Sequence, residues 1–319
     1  MEINHLASSD GKIVQLKNPA NGESAEILLD LGATLKSLHL RVQGELLNVI
    51  AIPQSKKYTL AENDLYPSAL LCPWVNRVRN GNYSFLGKNY QLPINEPALG
   101  NAIHGFLARR KFTLGNQTIQ DDFAKVKLTH EYLGDFVGFP FPFRFEWEFT
   151  LFQSGKLDVS FNCQNTGGGD MPFACGWHPY FRIPGTLVED YHIHFKGKSR
   201  FLSDSQMIPM KEESIDIPKG LSFKSNQIDH VFRLYPEKAH VTQLTDIKKN
   251  RALFVQQSSE IFPFLVVFAP ANEDCVAIEP MTANTDAMNT LDGLIQLKSQ
   301  DFFQGNVQIW AGKPLELTR

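Results

Sequence analysis

Residues 143–151 read Phe143-Arg144-Phe145-Glu146-Trp147-Glu148-Phe149-Thr150-Leu151. Apolar side chains occupy every second position, with polar side chains between them. Because successive side chains of a β-strand point to opposite faces, this pattern predicts a strand with one buried and one solvated face. Ser154-Gly155 interrupts the pattern, and residues 157–163 resume it with the same period. The two halves together predict an antiparallel hairpin.

The same period of two recurs along most of the chain. A second hairpin is predicted at residues 83–85 and 89–92, turning through Leu86-Gly87. Helical spacing of apolar residues is confined to residues 290–299, where we predict a turn or two of helix. Many strands at short spacing, with turn residues between them, predict an all-β fold built as a large antiparallel β-sandwich.

The chain gives no sign of a domain boundary. Its 22 Gly and 18 Pro are spread over the whole length, and no internal repeat interrupts the 319 residues. This length is sufficient to bury a sizeable core. We therefore predict one domain over residues 1–319.

Composition excludes several classes of function. Lys and Arg number 31 against 34 Asp and Glu, so no basic surplus is available to bind a nucleic-acid backbone. No uncharged apolar stretch reaches the roughly eighteen residues of a membrane helix, and the N-terminus lacks a signal-peptide pattern. The four cysteines are scattered, as in proteins of a reduced compartment. We expect a soluble, cytoplasmic protein that binds neither nucleic acid nor membrane.

Polar residues that interrupt apolar, Gly/Pro-rich segments are the candidates for chemistry. Arg77 follows Asn76 between two valines, and its guanidinium offers donors suited to hydroxyls or a carboxylate. The alternative is a surface arginine before a turn. His104 precedes Gly105, a residue that lets a ligand or another backbone approach closely. The alternative is a structural histidine with its hydrogen bonds satisfied.

Three further candidates are titratable. His178 lies in the aromatic run Trp177-His178-Pro179-Tyr180, where burial or a nearby carboxylate would shift its pKa; a core histidine is the alternative. Asp229 interrupts a strand-like run and needs a partner if buried, unless it simply forms a turn. Glu279 ends an apolar run before a proline, which suits either a desolvated general base or an ordinary strand end.

Other chemistries lack their sequence patterns. The chain contains no nucleophile elbow of the G-x-S-x-G type, no phosphate-binding G-x-x-x-x-G-K-[ST] loop and no H-E-x-x-H zinc motif. His192 and His194 lie two apart but without an evident third metal ligand. We therefore expect no metal and no cofactor.

Taken together and in order, these segments resemble the aldose 1-epimerase (galactose mutarotase) family from about Leu35 to the C-terminus. The segments that carry the resemblance are Asn76-Arg77-Val78-Arg79-Asn80-Gly81, Tyr83 to Pro93, Ile103-His104-Gly105, His178-Pro179-Tyr180-Phe181 and Glu279-Pro280-Met281-Thr282. The sequence departs from the family pattern at two places. Phe106 stands where a second glycine is common, and the segment after Glu279 reads Ala283-Asn284-Thr285-Asp286. Both are expected to reshape the rim of the pocket.

The resemblance implies a single large β-sandwich, the galactose mutarotase-like supersandwich, and an enzyme that interconverts the α and β anomers of a free aldohexose such as galactose or glucose. By motif, His178 resembles the family's general acid and Glu279 its general base. Arg77, His104 and Asp229 match its sugar-hydroxyl binders, with Asn76 contributing. Trp74, Trp177 or Tyr180 is expected to stack on the C–H face of the sugar. The partner is a small monosaccharide, and the protein a monomer or a homodimer.

The residue types suit this reaction by themselves. Exchange of anomers needs a base for the anomeric hydroxyl and an acid for the ring oxygen, and no redox group. Three alternatives remain. One is an epimerase for a hexose 6-phosphate, with Arg109-Arg110-Lys111 as a phosphate site. Another is a non-catalytic sugar-binding or regulatory protein. The third is a glycosidase that uses Asp229 with Glu279.

Overall fold

The computed structural model describes residues 1–53, 59–224 and 228–316, and within them β-strands predominate. The first strands are β1 (Glu2–Ser8), β2 (Gly11–Lys17), β3 (Ser24–Leu28), β4 (Thr34–Val42), β5 (Glu45–Asn48), β6 (Ile50–Ala51), β7 (Ala69–Leu71), β8 (Arg77–Val78), β9 (Asn82–Phe85), β10 (Lys88–Gln91), β11 (Ala102–Ile103), β12 (Thr113–Ile119), β13 (Phe123–Tyr132), β14 (Phe143–Phe152) and β15 (Leu157–Asn165). The remaining strands are β16 (Met171–Phe173), β17 (Gly176–His178), β18 (Tyr180–Phe181), β19 (Tyr191–His194), β20 (Gly197–Ser203), β21 (Pro209–Ser214), β22 (Leu221–Ser222), β23 (Asp229–Leu234), β24 (His240–Asp246), β25 (Arg251–Gln257), β26 (Phe264–Phe268), β27 (Val276–Met281), β28 (Ile295–Leu297) and β29 (Phe302–Gly312).

Helical structure is scarce in the described part of the chain. The α-helix α1 covers Ala287–Thr290, and short 3₁₀ turns occur at Leu60–Glu62, Arg79–Gly81, Leu107–Arg109 and Val188–Asp190. The predicted helical turns at residues 290–299 are wrong, because the helix ends at Thr290 and residues 295–297 form β28. β28 pairs with β16, so long-range pairing overrides the local spacing of apolar residues.

Both predicted hairpins are confirmed. β14 pairs antiparallel with β15, and Leu151 lies opposite Leu157 across the turn. β9 pairs with β10 through a two-residue turn, in which Leu86 has φ 48° and Gly87 φ 76°. Positive φ at both positions is the geometry that matches the twist of the flanking strands.

Three larger sheets organise the described strands, and their ladders are antiparallel. Sheet I contains five strands in the order β1-β2-β3-β4-β5. Sheet II contains nine strands in the order β12-β13-β14-β15-β29-β25-β24-β19-β22. Sheet III also contains nine strands, in the order β21-β20-β23-β26-β27-β17-β7, with β18 and β6 attached beside β27. β29, the last strand along the chain, therefore occupies the centre of sheet II.

All three sheets contribute side chains to the main core, and sheets II and III meet within it. Trp147 of β14 meets Trp177 of β17, with ring centroids 6.2 Å apart at 89°, and both rings are fully buried. Every second residue of β14 and β15 faces this layer, as the sequence pattern predicts. The large antiparallel β-sandwich is confirmed.

Two observations bear on the cysteine and membrane expectations. Cys72, Cys163, Cys175 and Cys275 are buried free thiols. Within the part of the chain that the structure describes, no helix has both the length and the apolarity to cross a membrane.

The central strands β26 and β27 of sheet III are buried on both faces, so alternation along them divides side chains between two layers. In β27, Ile278 belongs to the main core, whereas the preceding Ala277 and the following Glu279 point away from it. This second face of sheet III forms the floor of a cavity.

Candidate active site

A cavity of about 650 Å³ opens above the second face of sheet III. This volume lies in the range of small-molecule sites. The sequence-predicted residues that line it are Asn76, Arg77, His104, His178, Tyr180, Asp229 and Glu279. All seven therefore meet in one place, although they are spread over some 200 residues of the chain.

The register of sheet III explains how the floor is assembled. Asp229 of β23 pairs with Phe268 of β26. Phe268 in turn pairs with Ala277 of β27, and Ala277 pairs with Tyr180 of β18 on its other side. These four positions form one row across the sheet. Glu279 is two residues beyond Ala277 and so points to the same face. The ladder thereby places Glu279 beside the row that joins Asp229 to Tyr180.

The floor contains a histidine–carboxyl contact. Nε2 of His178 lies 3.3 Å from Oε1 of Glu279, and the two residues are only 5% and 2% exposed. Nδ1 of His178 and Oε2 of Glu279 have no hydrogen-bond partner among the described residues. The contact is therefore a nearly desolvated acid–base pair with one further polar atom on each side.

Burial moves the two pKa values in opposite directions. Desolvation lowers the pKa of His178 from 6.5 to about 3. Desolvation raises the pKa of Glu279 well above its usual range; the carboxylate of Asp229 raises it further, while Arg77 opposes the change. Both directions favour uncharged forms, since a charge in a low-dielectric interior lacks the hydration it has in water.

Arg77 lines one wall of the cavity in a fixed orientation. Its Nε donates to Oε2 and Oε1 of Glu96 at 2.9 and 3.1 Å, and its Nη2 donates to Oε1 at 2.8 Å. Its Nη1 donates to Oδ1 of Asn76 at 3.2 Å. The same Asn76 oxygen accepts from the Arg77 backbone N–H at 2.9 Å. Asn76 thus acts as a support for Arg77 as well as a lining residue.

His104 and Gly105 are held by a close backbone approach. The backbone N–H of His104 donates to the Asn76 carbonyl at 3.0 Å. A Cβ on Gly105 would lie 2.0 Å from the carbonyl oxygen of Cys72, and φ at this glycine is +65°. The expected approach of another backbone at Gly105 is confirmed.

The ring of His104 is stacked into the wall of the cavity. It makes edge contacts with Tyr66 at 4.8 Å and with His178 at 5.4 Å between centroids. Burial, followed by the proximity of His178 and Arg77, lowers the pKa of His104 well below its usual value. His104 is therefore a neutral imidazole that can donate or accept a hydrogen bond but carries no charge.

Asp229 and Tyr180 complete the floor. Asp229 is exposed to the cavity, and partial desolvation raises the pKa of its carboxyl, opposed by Arg77. Tyr180 is buried, with its ring 4.9 Å from that of His178, and its hydroxyl donates to the Leu65 carbonyl at 2.9 Å. Because that hydroxyl is engaged, Tyr180 presents chiefly its ring.

Four expectations about side chains around the cavity are corrected. Trp177 precedes His178 in β17, so alternation turns it into the main core, where its Nε1 donates to the Ser68 carbonyl. Trp74 is 2% exposed and packs against Phe106 at 5.9 Å. Phe106 thus faces the core, and residues 283–286 do not line the cavity. Instead, the Asp286 backbone N–H donates to the Arg77 carbonyl, bracing that segment from behind.

Sequence reasoning missed Glu96, Tyr66 and Arg109. Glu96 lies in a polar loop before Pro97, and nothing in the sequence links it to Arg77, nineteen residues earlier. Tyr66 lies in a segment without periodicity. The guanidinium of Arg109 lies 5.0 Å from the centre of the Tyr66 ring. Arg109 lies five residues after His104, and the sequence suggests a role for it only as part of the basic triplet Arg109-Arg110-Lys111.

A large antiparallel β-sandwich of this size, with a polar cavity above the second face of sheet III, has the galactose mutarotase-like fold. The chain belongs to the aldose 1-epimerase family, whose sequence model matches residues 12–310. The predicted resemblance to this family is thereby confirmed.

Individual relatives are distant. An uncharacterised Escherichia coli protein, YihR, is 28% identical over 236 residues, which cover 72% of this chain and 74% of that protein. A galactose mutarotase-like protein from Clostridium acetobutylicum superposes with a TM-score of 0.85 at 21% identity, over 98% of this chain and 99% of its own. A galactose 1-epimerase from Lactobacillus acidophilus gives 0.77 at 17% identity, over 99% and 100%. The two structures establish the shared fold.

Proposed function

We propose that the protein is an aldose 1-epimerase that interconverts the α and β anomers of free aldohexoses. The observation that carries the proposal is the 3.3 Å contact between His178 Nε2 and Glu279 Oε1 on the floor of the cavity. Ring opening of a cyclic aldose requires one group that accepts the proton of the anomeric hydroxyl and one that protonates the ring oxygen. A histidine and a carboxyl that meet inside one cavity suit both transfers.

In this proposal Glu279 is the general base and His178 the general acid. Glu279 takes the proton from the hydroxyl on C1 while His178 gives a proton to the ring oxygen, and the C1–O5 bond breaks to leave an aldehyde. Rotation about the C1–C2 bond presents the other face of the aldehyde. Reclosure reverses both transfers, so His178 regains its proton and Glu279 loses one. The cycle returns the enzyme to its starting state.

The pair keeps one net charge state throughout this cycle. Imidazolium with carboxylate, and imidazole with carboxylic acid, both sum to zero. A change of net charge in a desolvated site would cost several kcal/mol, and this exchange avoids it. The opposite pKa shifts of His178 and Glu279 favour the uncharged form, which is the form that recloses the ring.

The other lining residues are proposed to bind the sugar. Arg77, with Asn76 behind it, donates to hydroxyls from one wall, and the neutral His104 can do so from beside His178. Asp229, at the start of β23, accepts hydrogen bonds from sugar hydroxyls. The ring of Tyr180 offers an apolar surface for a C–H face of the sugar. Their placement around the acid–base pair supports these assignments.

The charge of the lining favours a free sugar over a sugar phosphate. Among the described lining residues, Arg77 is engaged by Glu96, and Arg109 donates to the carbonyls of Leu60 and Asn63. The other two residues of the basic triplet do not line the cavity. The Arg110 guanidinium lies over the Phe106 ring, and Lys111 pairs with Asp30. Additional acidic residues at the mouth of the cavity are Glu62 and Asp64. A phosphate dianion would meet this excess of carboxylates.

The test is polarimetry of freshly dissolved α-D-galactose and α-D-glucose in weakly catalysing buffer. We expect the protein to accelerate the approach to the same final rotation. Glu279→Gln and His178→Asn should each lower kcat by about 10²–10⁴-fold, because each removes one proton-transfer group. The control is Glu148→Gln, which removes a carboxylate of β14 that pairs with Lys125 outside the cavity.

Other outcomes would point elsewhere. Full activity of a folded Glu279→Gln variant would contradict the assignment of the base. Sugar binding without acceleration would favour a regulatory sugar-binding protein. Strong inhibition of mutarotation by hexose 6-phosphates, with a weak response to free sugars, would favour the phosphorylated substrate, and release of phenol from aryl glycosides would favour a glycosidase.

A further inference from the structure

The Glu96–Arg77 pair stands out among the ion pairs of the protein because it is part of the cavity wall. Both side chains line the cavity, at 18% and 19% exposure for Arg77 and Glu96. Glu96 occupies the Nε–Nη2 edge of the guanidinium through three hydrogen bonds of 2.8–3.1 Å. This edge is the one with which arginine binds carboxylates and phosphates in bidentate fashion.

Glu96 is itself held in place by its own loop. Its Oε2 accepts from Nδ2 of the fully buried Asn101 at 3.1 Å. Its backbone carbonyl accepts from the N–H groups of Gly100 and Asn101 at 2.9 and 3.3 Å. The carboxylate is therefore a fixed part of the wall and does not swing aside as a solvent-exposed partner would.

We propose that Glu96 is a specificity-determining residue, which reserves Arg77 for neutral sugar hydroxyls and excludes aldoses that carry an anionic group, such as hexuronic acids. The inference rests on the proposed mutarotase function. Glu96 acts in two ways: it fills the bidentate edge of Arg77, and it places a like charge beside any anionic substituent. Since Nη1 also donates to Asn76 Oδ1, one hydrogen of Nη1 and one of Nη2 remain for hydroxyl groups.

The first measurement uses the unmodified protein with D-galactose and D-galacturonate, which differ only in the group at C6. We expect kcat/KM for galactose to exceed that for galacturonate by about tenfold or more, since like charges at close range cost at least that much. Equal values would overturn the proposal. Dissociation constants of the two sugars from calorimetric titration measure the same selectivity, and they do not require that either sugar be converted.

The second measurement uses Glu96→Gln, which keeps the size of the side chain and removes its charge. We expect the ratio of kcat/KM for galacturonate to that for galactose to rise by about tenfold or more, mainly through a lower KM for galacturonate. A variant that merely loosens Arg77 would lower both values together and leave the ratio unchanged, and that result would overturn the proposal. Glu96→Asp, which keeps the charge, should retain the original preference.

Two controls isolate the effect. Glu212→Gln removes the carboxylate of another bidentate pair, with Arg233 at 2.8 and 3.2 Å, on residues outside the cavity lining. It should leave the galacturonate ratio unchanged. Adding Arg77→Lys to Glu96→Gln should abolish the gain, because lysine lacks a bidentate edge. If galactose and galacturonate bind with the expected selectivity but neither is mutarotated, the proposed function fails while the role of Glu96 stands.

Discussion

At the scale of single residues, alternation along a strand separates neighbours with different tasks. Trp177 enters the main core, and His178, one residue later, lines the cavity. Ile278 and Glu279 divide in the same way on β27. The apolar neighbours therefore hold the strands in the sandwich, while the cavity-lining side chains project into a different layer.

His240, which lies outside the cavity lining, shows how burial of a histidine makes stability depend on pH. His240 of β24 is fully buried, and neither ring nitrogen has a hydrogen-bond partner among the described residues; its Nδ1 lies 4.0 Å from Oε2 of Glu237. Desolvation lowers the pKa of His240 from 6.5 to about 4. The folded protein thus binds this proton less readily than the unfolded chain does, and stability is full above pH 6.5 and falls as the pH drops toward 4.

We expect His240 to account for a loss of about 3 kcal/mol in the free energy of unfolding between pH 6.5 and pH 4. His240→Gln should make the pH dependence in this window shallower by up to about 1.4 kcal/mol per pH unit. Urea denaturation at several pH values measures the slope. His5→Gln, at an exposed position of β1, is the matched control and should leave it unchanged.

At the scale of elements, the β9–β10 hairpin illustrates a turn whose geometry is fixed by its length. A type I′ turn, one of the two-residue connections that match the twist of antiparallel strands, has positive φ at both central positions. Gly87 adopts this conformation freely, but Leu86 adopts it at φ 48° with a side chain that is 67% exposed. Leu86 accordingly contributes strain and little burial.

We expect Leu86→Asn to raise the free energy of unfolding by about 0.5–1 kcal/mol, because asparagine tolerates the left-handed region. Gly87→Ala should lower it by about 1 kcal/mol; a Cβ at Gly87 has no atom within 4 Å, so the cost is confined to the backbone. Chemical denaturation of the two variants beside the parent chain measures both shifts. Changes of the same sign would contradict this account of the turn.

At the scale of the whole molecule, the two terminal strands have unequal positions. β1 lies at the edge of sheet I, pairs only with β2, and is half-buried or exposed along its length. β29 lies between β15 and β25 in the middle of sheet II, and it buries Phe303, Val307 and Ile309. The last strand in sequence is therefore central to the core.

We expect a variant without residues 1–9 to remain folded with reduced stability, since only one ladder is lost. A variant that ends at residue 300 should fail to fold, because β15 and β25 would each lose their neighbour and the core would lose three buried apolar side chains. Circular dichroism and thermal melts of the two truncations provide the comparison. Cooperative unfolding of the C-terminal truncation would refute the central role of β29.

Sequence alone determined the class of fold and most of the candidate site. Alternation at residues 143–163 is a local property of the chain, and it carried the hairpin and the sandwich without tertiary information. Five of the seven predicted lining residues stand out as polar or ionisable types in apolar, Gly/Pro-rich segments, namely Arg77, His104, His178, Asp229 and Glu279; Asn76 and Tyr180 lie in the same segments. Their roles came from the resemblance to a family, since spacing along the chain has no bearing on which of them touch.

Only the tertiary structure decided which side chains meet. The His178–Glu279 contact depends on the register of sheet III. The Glu96–Arg77 ion pair depends on a loop whose sequence has no periodicity. Alternation along β17 turns Trp177 away from the site, whereas the loops around β7 bury Trp74 and place Tyr66 in the cavity lining beside Arg109. Such contacts join residues distant along the chain, and their energies depend on burial and orientation, which arise when the sheets pack together.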